Sequence, residues 1–172
     1  MSRIILITGG ARSGKSRFAE TITRSFGAPL GYLATGESRD AEMAQRIDRH
    51  RERRGPEWTT IEEPLRLAET LTDTDGRFRA ILVDCVTLWL SNLLLTHEEP
   101  ERVLAAVREL AEAAPKFATP LVLVTNEVGM GIVPENHLAR LFRDLAGEAN
   151  ELLAATADEV HVLFAGLPLR LK

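Results

Sequence analysis

Cysteine is nearly absent from this chain of 172 residues: Cys85 stands alone, so no intrachain disulfide can form. Its place in an apolar run marks it as a small core residue. Lysine is almost as scarce. Only Lys15, Lys116 and Lys172 occur, and the other eighteen of the 21 basic residues are arginine. Codon bias would produce that skew, and so would a need for guanidinium groups that grip phosphates bidentately; composition leaves both open. An excess of positive charge is also missing. The formal net charge is −4 and the pI about 5.6, which gives no sign of the basic face of a nucleic-acid-binding domain, and no nucleic acid is expected as a partner. No apolar run approaches a membrane span, and no charged leader with an apolar signal core precedes the first strand; a cytoplasmic protein is expected. Repeats, low-complexity stretches, linkers and Cys/His zinc spacings are absent as well.

What is there is enough apolar residue for one core. Hydrophobic residues make up 45% and charged ones 27%, and the length suits a single domain over 1–172. Apolar runs predict strands at Arg3–Thr8, Leu30–Ala34, Ala80–Asp84, Leu121–Thr125 and Glu159–Phe164. Most are continuously apolar rather than alternating, as in strands buried on both faces of a parallel sheet. Leu169–Lys172 follows the turn at Gly166–Pro168 and is expected to return as an edge strand. Helical periodicity is predicted over Gly14–Phe26, Asp40–Arg54, Leu65–Leu71, Val86–Leu95, Glu101–Ala114 and Glu135–Ala157. The last carries Leu138, Leu141, Leu145, Ala149, Leu152 and Leu153 on one side, with Pro134 just before its start. Strand–helix alternation of this kind implies a three-layer α/β domain with a mostly parallel sheet.

The sharpest motif is Gly9-Gly10-Ala11-Arg12-Ser13-Gly14-Lys15-Ser16, which fits G-x-x-x-x-G-K-[ST] at every fixed position. Ile4–Thr8 reads as a buried strand directly before it, and Ser16–Phe26 as a helix directly after. That context is the one a P-loop requires. Gly9, Gly10 and Gly14 are expected to let the backbone curl so that successive N–H groups face one anion, and the helix N-terminus adds partial positive charge. Lys15 neutralises the β- and γ-phosphates, and Ser16 offers a hydroxyl to Mg²⁺. The chain therefore reads as a P-loop enzyme that handles the phosphates of ATP or GTP. Asp84 closes the run Ala80–Val83. A carboxylate there suits a second Mg²⁺ or nucleotide ligand, or else caps the next helix.

The segment Arg46–Arg54 places five arginines around His50, with Asp48 and Glu52 as internal partners. At helical spacing Arg46, Arg49, His50 and Arg53 share a face, and Arg51 and Arg54 lie together on a neighbouring one. Gly55-Pro56 stops the helix. Two readings stay open on the residues alone. One is a solvated charged helix. In the other, arginines hold a triphosphate, neighbouring cations keep His50 neutral, and its lone pair attacks phosphorus.

Several blocks, in order, resemble one family. They are Ile7–Arg17, Tyr32–Thr35, Asp40–His50 with its Asp-Ala-Glu-Met-Ala-x-Arg-Ile-x-x-His pattern, Val124–Asn136, Phe142–Asn150 and Ala157–Val160. Thr-Asn-Glu-Val-Gly-Met-Gly-Ile-Val-Pro is the most specific of these. The chain resembles the bifunctional adenosylcobinamide kinase/adenosylcobinamide-phosphate guanylyltransferases of cobalamin biosynthesis. The resemblance implies a RecA-like P-loop fold and two reactions. The first phosphorylates the aminopropanol hydroxyl of adenosylcobinamide with ATP or GTP. The second transfers GMP from GTP to adenosylcobinamide phosphate through a guanylylated histidine, here His50. It further implies Mg²⁺, a homotrimer, and nucleotide contacts at Gly9–Ser16, at Ala34, Thr35 and Gly36, at Arg51, Glu52, Arg53 and Arg54, at Glu62 and at Asp84. Where some relatives carry another residue, this chain has Gly36, which removes a side-chain contact. Glu62 otherwise reads as an acid at a helix N-terminus. Thr125, Asn126 and Glu127 follow the fourth strand, where ligands bind in open α/β sheets, and this block is expected to hold the corrinoid or position its hydroxyl; a packed turn is the other reading. His97 in a polar loop, His137 on the long helix and His161 in a strand are not expected to be catalytic. Two other functions stay compatible with the P-loop. One is a small-molecule kinase without a covalent intermediate; the other is a GTP-dependent switch, although no N-K-x-D motif is present.

Overall fold

A computed structural model describes residues 3–36, 54–97 and 99–172. Seven strands are numbered in chain order: β1 Ile4–Gly9, β2 Leu30–Ala34, β3 Trp58–Glu62, β4 Ala80–Asp84, β5 Leu121–Val124, β6 Glu159–Phe164 and β7 Leu167–Arg170. The described helices are α1 Lys15–Arg24, α2 Leu67–Thr74, α3 Val86–His97, α4 Pro100–Ala113 and α5 His137–Thr156, with a 3₁₀ turn at Ala114–Lys116. The strands form one sheet in the order β3-β2-β4-β5-β1-β6-β7. All pairings are parallel except β6 with β7. The predicted three-layer, mostly parallel α/β architecture is the one observed.

Period-2 alternation explains why the central strands read as continuous apolar runs. Ile4 and Leu6 join Leu33, Ile81, Val83, Leu121 and Leu123 on one face, where α2, α3, α4 and α5 pack. Ile5 and Ile7 join Leu30, Tyr32, Leu82, Val122 and Val124 on the other, against Ala19, Phe18 and Ile22 of α1. Both sets are buried, so neither face has room for polar side chains. Trp89 is the largest of the fully buried side chains, and its indole N–H donates to Leu65 O at 2.7 Å. Removing such a side chain costs about 3–5 kcal/mol.

Some boundaries differ from the sequence expectation. The strand Trp58–Glu62 was not expected at all. It is the sheet edge beside β2, and its middle residues Thr59 and Thr60 are exposed. The final strand starts at Leu167, two residues earlier than the expected Leu169, because the β6–β7 hairpin is tight: Ala165 and Gly166 both take positive φ, 51° and 83°. The long helix begins at His137, not Glu135. Asn136 caps it, its Oδ1 accepting from Ala139 N at 3.1 Å, so Pro134 and Glu135 lie outside. Leu138, expected on the buried side of that helix, is half exposed. His97 is the last residue of α3 rather than part of a loop. The helix predicted over Asp40–Arg54 lies outside the described residues, save for Arg54, which sits at a bend.

Candidate nucleotide site

The chain leaves β1 at Gly9 and enters α1 at Lys15, so the phosphate motif spans the carboxyl end of a strand next to the sheet centre. Neighbouring strand ends supply the rest of the rim: Asp84 from β4, Val124 from β5 and Phe164 from β6. β1 leads through α1 on one face of the sheet to β2, and its neighbour β5 leads through α5 on the other face to β6, so the strand ends between them open into a crevice for ligands.

The loop's shape is fixed by its neighbours. Gly9 has φ 144°, and a Cβ there would meet Leu163 O at 2.6 Å, a contact no side chain tolerates. Gly14 caps α1 with φ 95°. Gly10 is not required to be glycine by its protein neighbours: its φ is not positive, and a Cβ on it would meet nothing within 4 Å. The third left-handed residue is instead Arg12, at φ 56°. Two hydrogen bonds from outside hold the curl, Glu127 N to Gly9 O at 3.0 Å and Gly166 N to Ser13 O at 2.9 Å. Lys15 is buried, with its ammonium donating to Gly10 O at 2.6 Å. Ser13 is buried too, and its hydroxyl has no partner among the described residues. A phosphate oxygen would supply one.

A cavity of about 550 Å³ opens over the loop, bordered by Lys15, Ser16, Asp84, Cys85 and Asn126. That volume is in the range of small-ligand sites. Ser16 and Asp84 present hard oxygen donors to the same space, a donor set that fits Mg²⁺ held mainly by substrate phosphates. Among the described residues no group of three or more His, Cys, Asp or Glu could cage a metal by itself.

Asp84 is held from the side. Tyr32 Oη donates to its Oδ2 at 3.2 Å. Burial, and then the Asp84 charge, push the Tyr32 hydroxyl upward from its ordinary value although Arg54 opposes them, so it stays a neutral donor. The Arg54 guanidinium lies over the Tyr32 ring, 3.2 Å from its centroid, and Trp58 packs edge-on at 6.3 Å. Arg54, expected as a nucleotide contact, is linked by this stacking through Tyr32 to the Asp84 carboxylate. Cys85 is buried as expected; burial and the adjacent Asp84 push its thiol up to about 12, and it remains a thiol.

Thr35 also turns inward. Its hydroxyl donates to Cys85 O at 2.7 Å and accepts from Cys85 N at 2.9 Å, and the residue is fully buried. Thr35 therefore braces the turn after Asp84, while Ala34 and Gly36 on either side are half-buried. Asn92 of α3 donates to Thr35 O at 2.8 Å and to Pro64 O at 3.2 Å, joining this brace to the end of β3. Glu62 is exposed at the end of β3, paired with Ala34. The acid at the helix entrance is its neighbour Glu63, whose Oε1 accepts from Leu65 N and Arg66 N. His50, Arg51, Glu52 and Arg53 lie outside the described residues.

The Thr125–Glu127 block is pinned by a polar network that sequence reasoning did not foresee. Thr125 Oγ1 donates to Asn150 Oδ1 at 2.7 Å, Asn150 Nδ2 to Asn126 O at 3.1 Å, and Asn126 N to Thr87 Oγ1 at 2.7 Å. Asn150 belonged to a recognisable block, but nothing in one sequence says that it faces Asn126. Tyr32 carried no signal beyond its place in Tyr-Leu-Ala-Thr. Among the other histidines, His161 pairs with Glu159 at 3.2 Å and packs on Phe18, a structural role.

Strand, phosphate loop, helix and strand-end carboxylate together define a P-loop nucleotide-binding protein of RecA-like fold. A KaiC-like protein from Pyrococcus horikoshii shares that fold, with a TM-score of 0.52 at 14% identity over 93% of this chain and 70% of that one. Sequence comparison is more specific. The profile of the family "Cobinamide kinase / cobinamide phosphate guanyltransferase" matches residues 5–171. The "Bifunctional adenosylcobalamin biosynthesis protein CobP" of Pseudomonas aeruginosa is 44% identical over 97% of this chain and 96% of its own. The corresponding CobU of Salmonella typhimurium is 43% identical over 98% and 99%, and that of Escherichia coli 41% over 98% and 99%. The chain belongs to the cobinamide kinase/cobinamide phosphate guanyltransferase family.

Proposed function

We propose that this chain catalyses both reactions of its family on one phosphate loop: phosphorylation of adenosylcobinamide by ATP or GTP, then transfer of GMP from GTP to adenosylcobinamide phosphate. The observation that carries this reading is the cavity in which Lys15, Ser16 and Asp84 converge over the P-loop, in a chain matched nearly end to end by the family profile. In the first step the loop amides and Lys15 hold the donor phosphates, and catalysis is positioning plus charge neutralisation. Mg²⁺, bound through Ser16 and Asp84 with the nucleotide, would neutralise developing phosphate charge. In the second step a His50 nitrogen attacks the α-phosphorus of GTP, the bond to the bridging oxygen breaks and pyrophosphate leaves. An oxygen of adenosylcobinamide phosphate then displaces His50 to give adenosylcobinamide-GDP. Ala34 and Gly36, Glu62 and the arginines 51, 53 and 54, with Glu52, are the expected surroundings of the guanosine; Asp84 joins them at the phosphates.

Two further expectations belong here. Among the described residues no helix is long and apolar enough to cross a membrane, which is compatible with action in the cytoplasm on soluble nucleotide. A homotrimer is the proposed assembly; exposed Leu167, Leu169 and Leu171 at the β7 edge are a surface it could cover.

Incubation with Mg²⁺ and GTP labelled at the α-phosphate, without corrinoid, tests the covalent step. The expected result is acid-labile, alkali-stable label on denatured protein that disappears in His50→Ala. Absence of label on wild type with nucleotide binding intact would leave a plain kinase.

A further inference from the structure

A second cavity, of about 430 Å³, lies on the β6 side of the phosphate loop. Its floor is Gly9–Ser13, its wall is Val162–Ala165, and Met130 closes the far side. Ala11, Arg12, Ser13 and Glu127 border both this cavity and the one that holds Lys15 and Asp84. Of those four, Glu127 alone can accept a proton. The partition of the rest is chemical. Lys15, Ser16 and Asp84 face only the first cavity, which suits phosphate and metal. The second has a largely apolar wall in Val162, Leu163, Phe164 and Met130, which suits an uncharged carbon skeleton. Met130 and Phe164 are 78% and 54% exposed, so its mouth is an apolar surface open to a large substrate.

Glu127 is fixed relative to the loop. Its backbone N–H donates to Gly9 O at 3.0 Å, and its Oε1 accepts from Gly129 N at 2.7 Å. A carboxylate has acceptor capacity well beyond that one bond.

We propose that the second cavity admits the aminopropanol arm of the corrinoid and that Glu127 is the general base of the kinase step. This rests on the kinase activity proposed above. The arm's hydroxyl oxygen attacks the terminal phosphorus of the donor. The bond from that phosphorus to the bridging oxygen breaks, the hydroxyl proton passes to the Glu127 carboxylate, and nucleoside diphosphate leaves. Glu127 thereby does for this acceptor what a catalytic-loop aspartate does in protein kinases.

Steady-state phosphorylation of adenosylcobinamide by Mg·ATP, with the full chain, decides the matter. Glu127→Gln is expected to lower kcat about 10²- to 10⁴-fold and to change KM for the corrinoid less than about threefold. Glu127→Asp, which keeps a carboxylate, should restore part of kcat. Phe164→Ala should raise KM for adenosylcobinamide about tenfold, as expected for a lost apolar contact, with the Kd for ATP unchanged. Circular dichroism melts establish that each variant folds; should Glu127→Gln not fold, Glu127→Ala, with kcat recovered by added formate or acetate, carries the test. A kcat for Glu127→Gln within about threefold of wild type, or a Glu127→Asp no faster than Glu127→Gln, overturns the base assignment. A Phe164→Ala that weakens ATP and not the corrinoid makes the cavity a nucleoside subsite and overturns the acceptor assignment. Wild type that fails to phosphorylate adenosylcobinamide sinks the functional reading itself, whereas active wild type with an unaffected Glu127→Gln sinks only this inference.

Discussion

Tyr32 lies between two groups of the site. Its buried hydroxyl holds Asp84 Oδ2 while Arg54 covers its ring, so one side chain connects an arginine next to the His50 segment with the carboxylate assigned to metal. Tyr32→Phe removes the donor and keeps the ring. A net hydrogen bond to a carboxylate contributes about 1.5 kcal/mol or somewhat less in a half-exposed setting, so the Mg²⁺ concentration for half-maximal nucleotide binding should rise about 2- to 10-fold. Magnesium titration of a fluorescent guanine nucleotide checks this; an unchanged midpoint means that Tyr32 only fills space. At this scale the sequence was partly legible. The G-x-x-x-x-G-K-S spacing located Lys15 and Ser16 because phosphate binding needs consecutive amides. The inward-facing hydroxyl of Thr35 and the stacking of Arg54 were not legible, since residue type does not say where a side chain points.

At the scale of elements, the strands easiest to read were β1, β2, β4 and β5, buried on both faces and apolar along nearly their whole length. The strand Trp58–Glu62 escaped because it lies at the sheet edge with Thr59 and Thr60 in solvent, so it reads as an ordinary polar stretch. The joint between α2 and β5 was equally invisible. There Asp75 accepts from Ala118 N at 3.0 Å and Thr119 N at 2.9 Å, and Gly76 N donates to Thr119 Oγ1 at 2.7 Å. Burial works to raise the Asp75 carboxyl, but the amide donors outweigh it and hold the group below its ordinary value of 3.8. A depressed pKa means stability that is present above the unfolded value and lost as pH falls through the folded one. Asp75→Ala should lower stability by about 1–2 kcal/mol at neutral pH, and the gap from wild type should close as pH drops below about 3.8. Urea unfolding at pH 7 and pH 3 measures both; an equal gap at the two pH values refutes the linkage.

Across the whole molecule, the sheet sorts chemistry to one end and apolar surface to one edge. Beyond β6 the sheet ends in β7, where Leu167, Leu169 and Leu171 are 72%, 56% and 63% exposed. Among the described residues no strand pairs with that edge, and such a row favours association. For the proposed homotrimer, light scattering should give a mass of three chains for wild type, and Leu169→Asp should shift it toward a single chain. A wild-type monomer would remove the homotrimer. Nothing in the sequence alone specified three, because an apolar edge says that something covers it and not how many copies do.

The phosphate loop is anchored at both of its ends by groups outside it, the Glu127 amide on Gly9 O and the Gly166 amide on Ser13 O. Its curl therefore does not depend on the nucleotide to impose it. The disorder that a floppy loop would surrender on each binding event has been given up once, during folding. Under the proposed function, in which one cradle is emptied and refilled for two reactions, neither reaction has to order the loop anew.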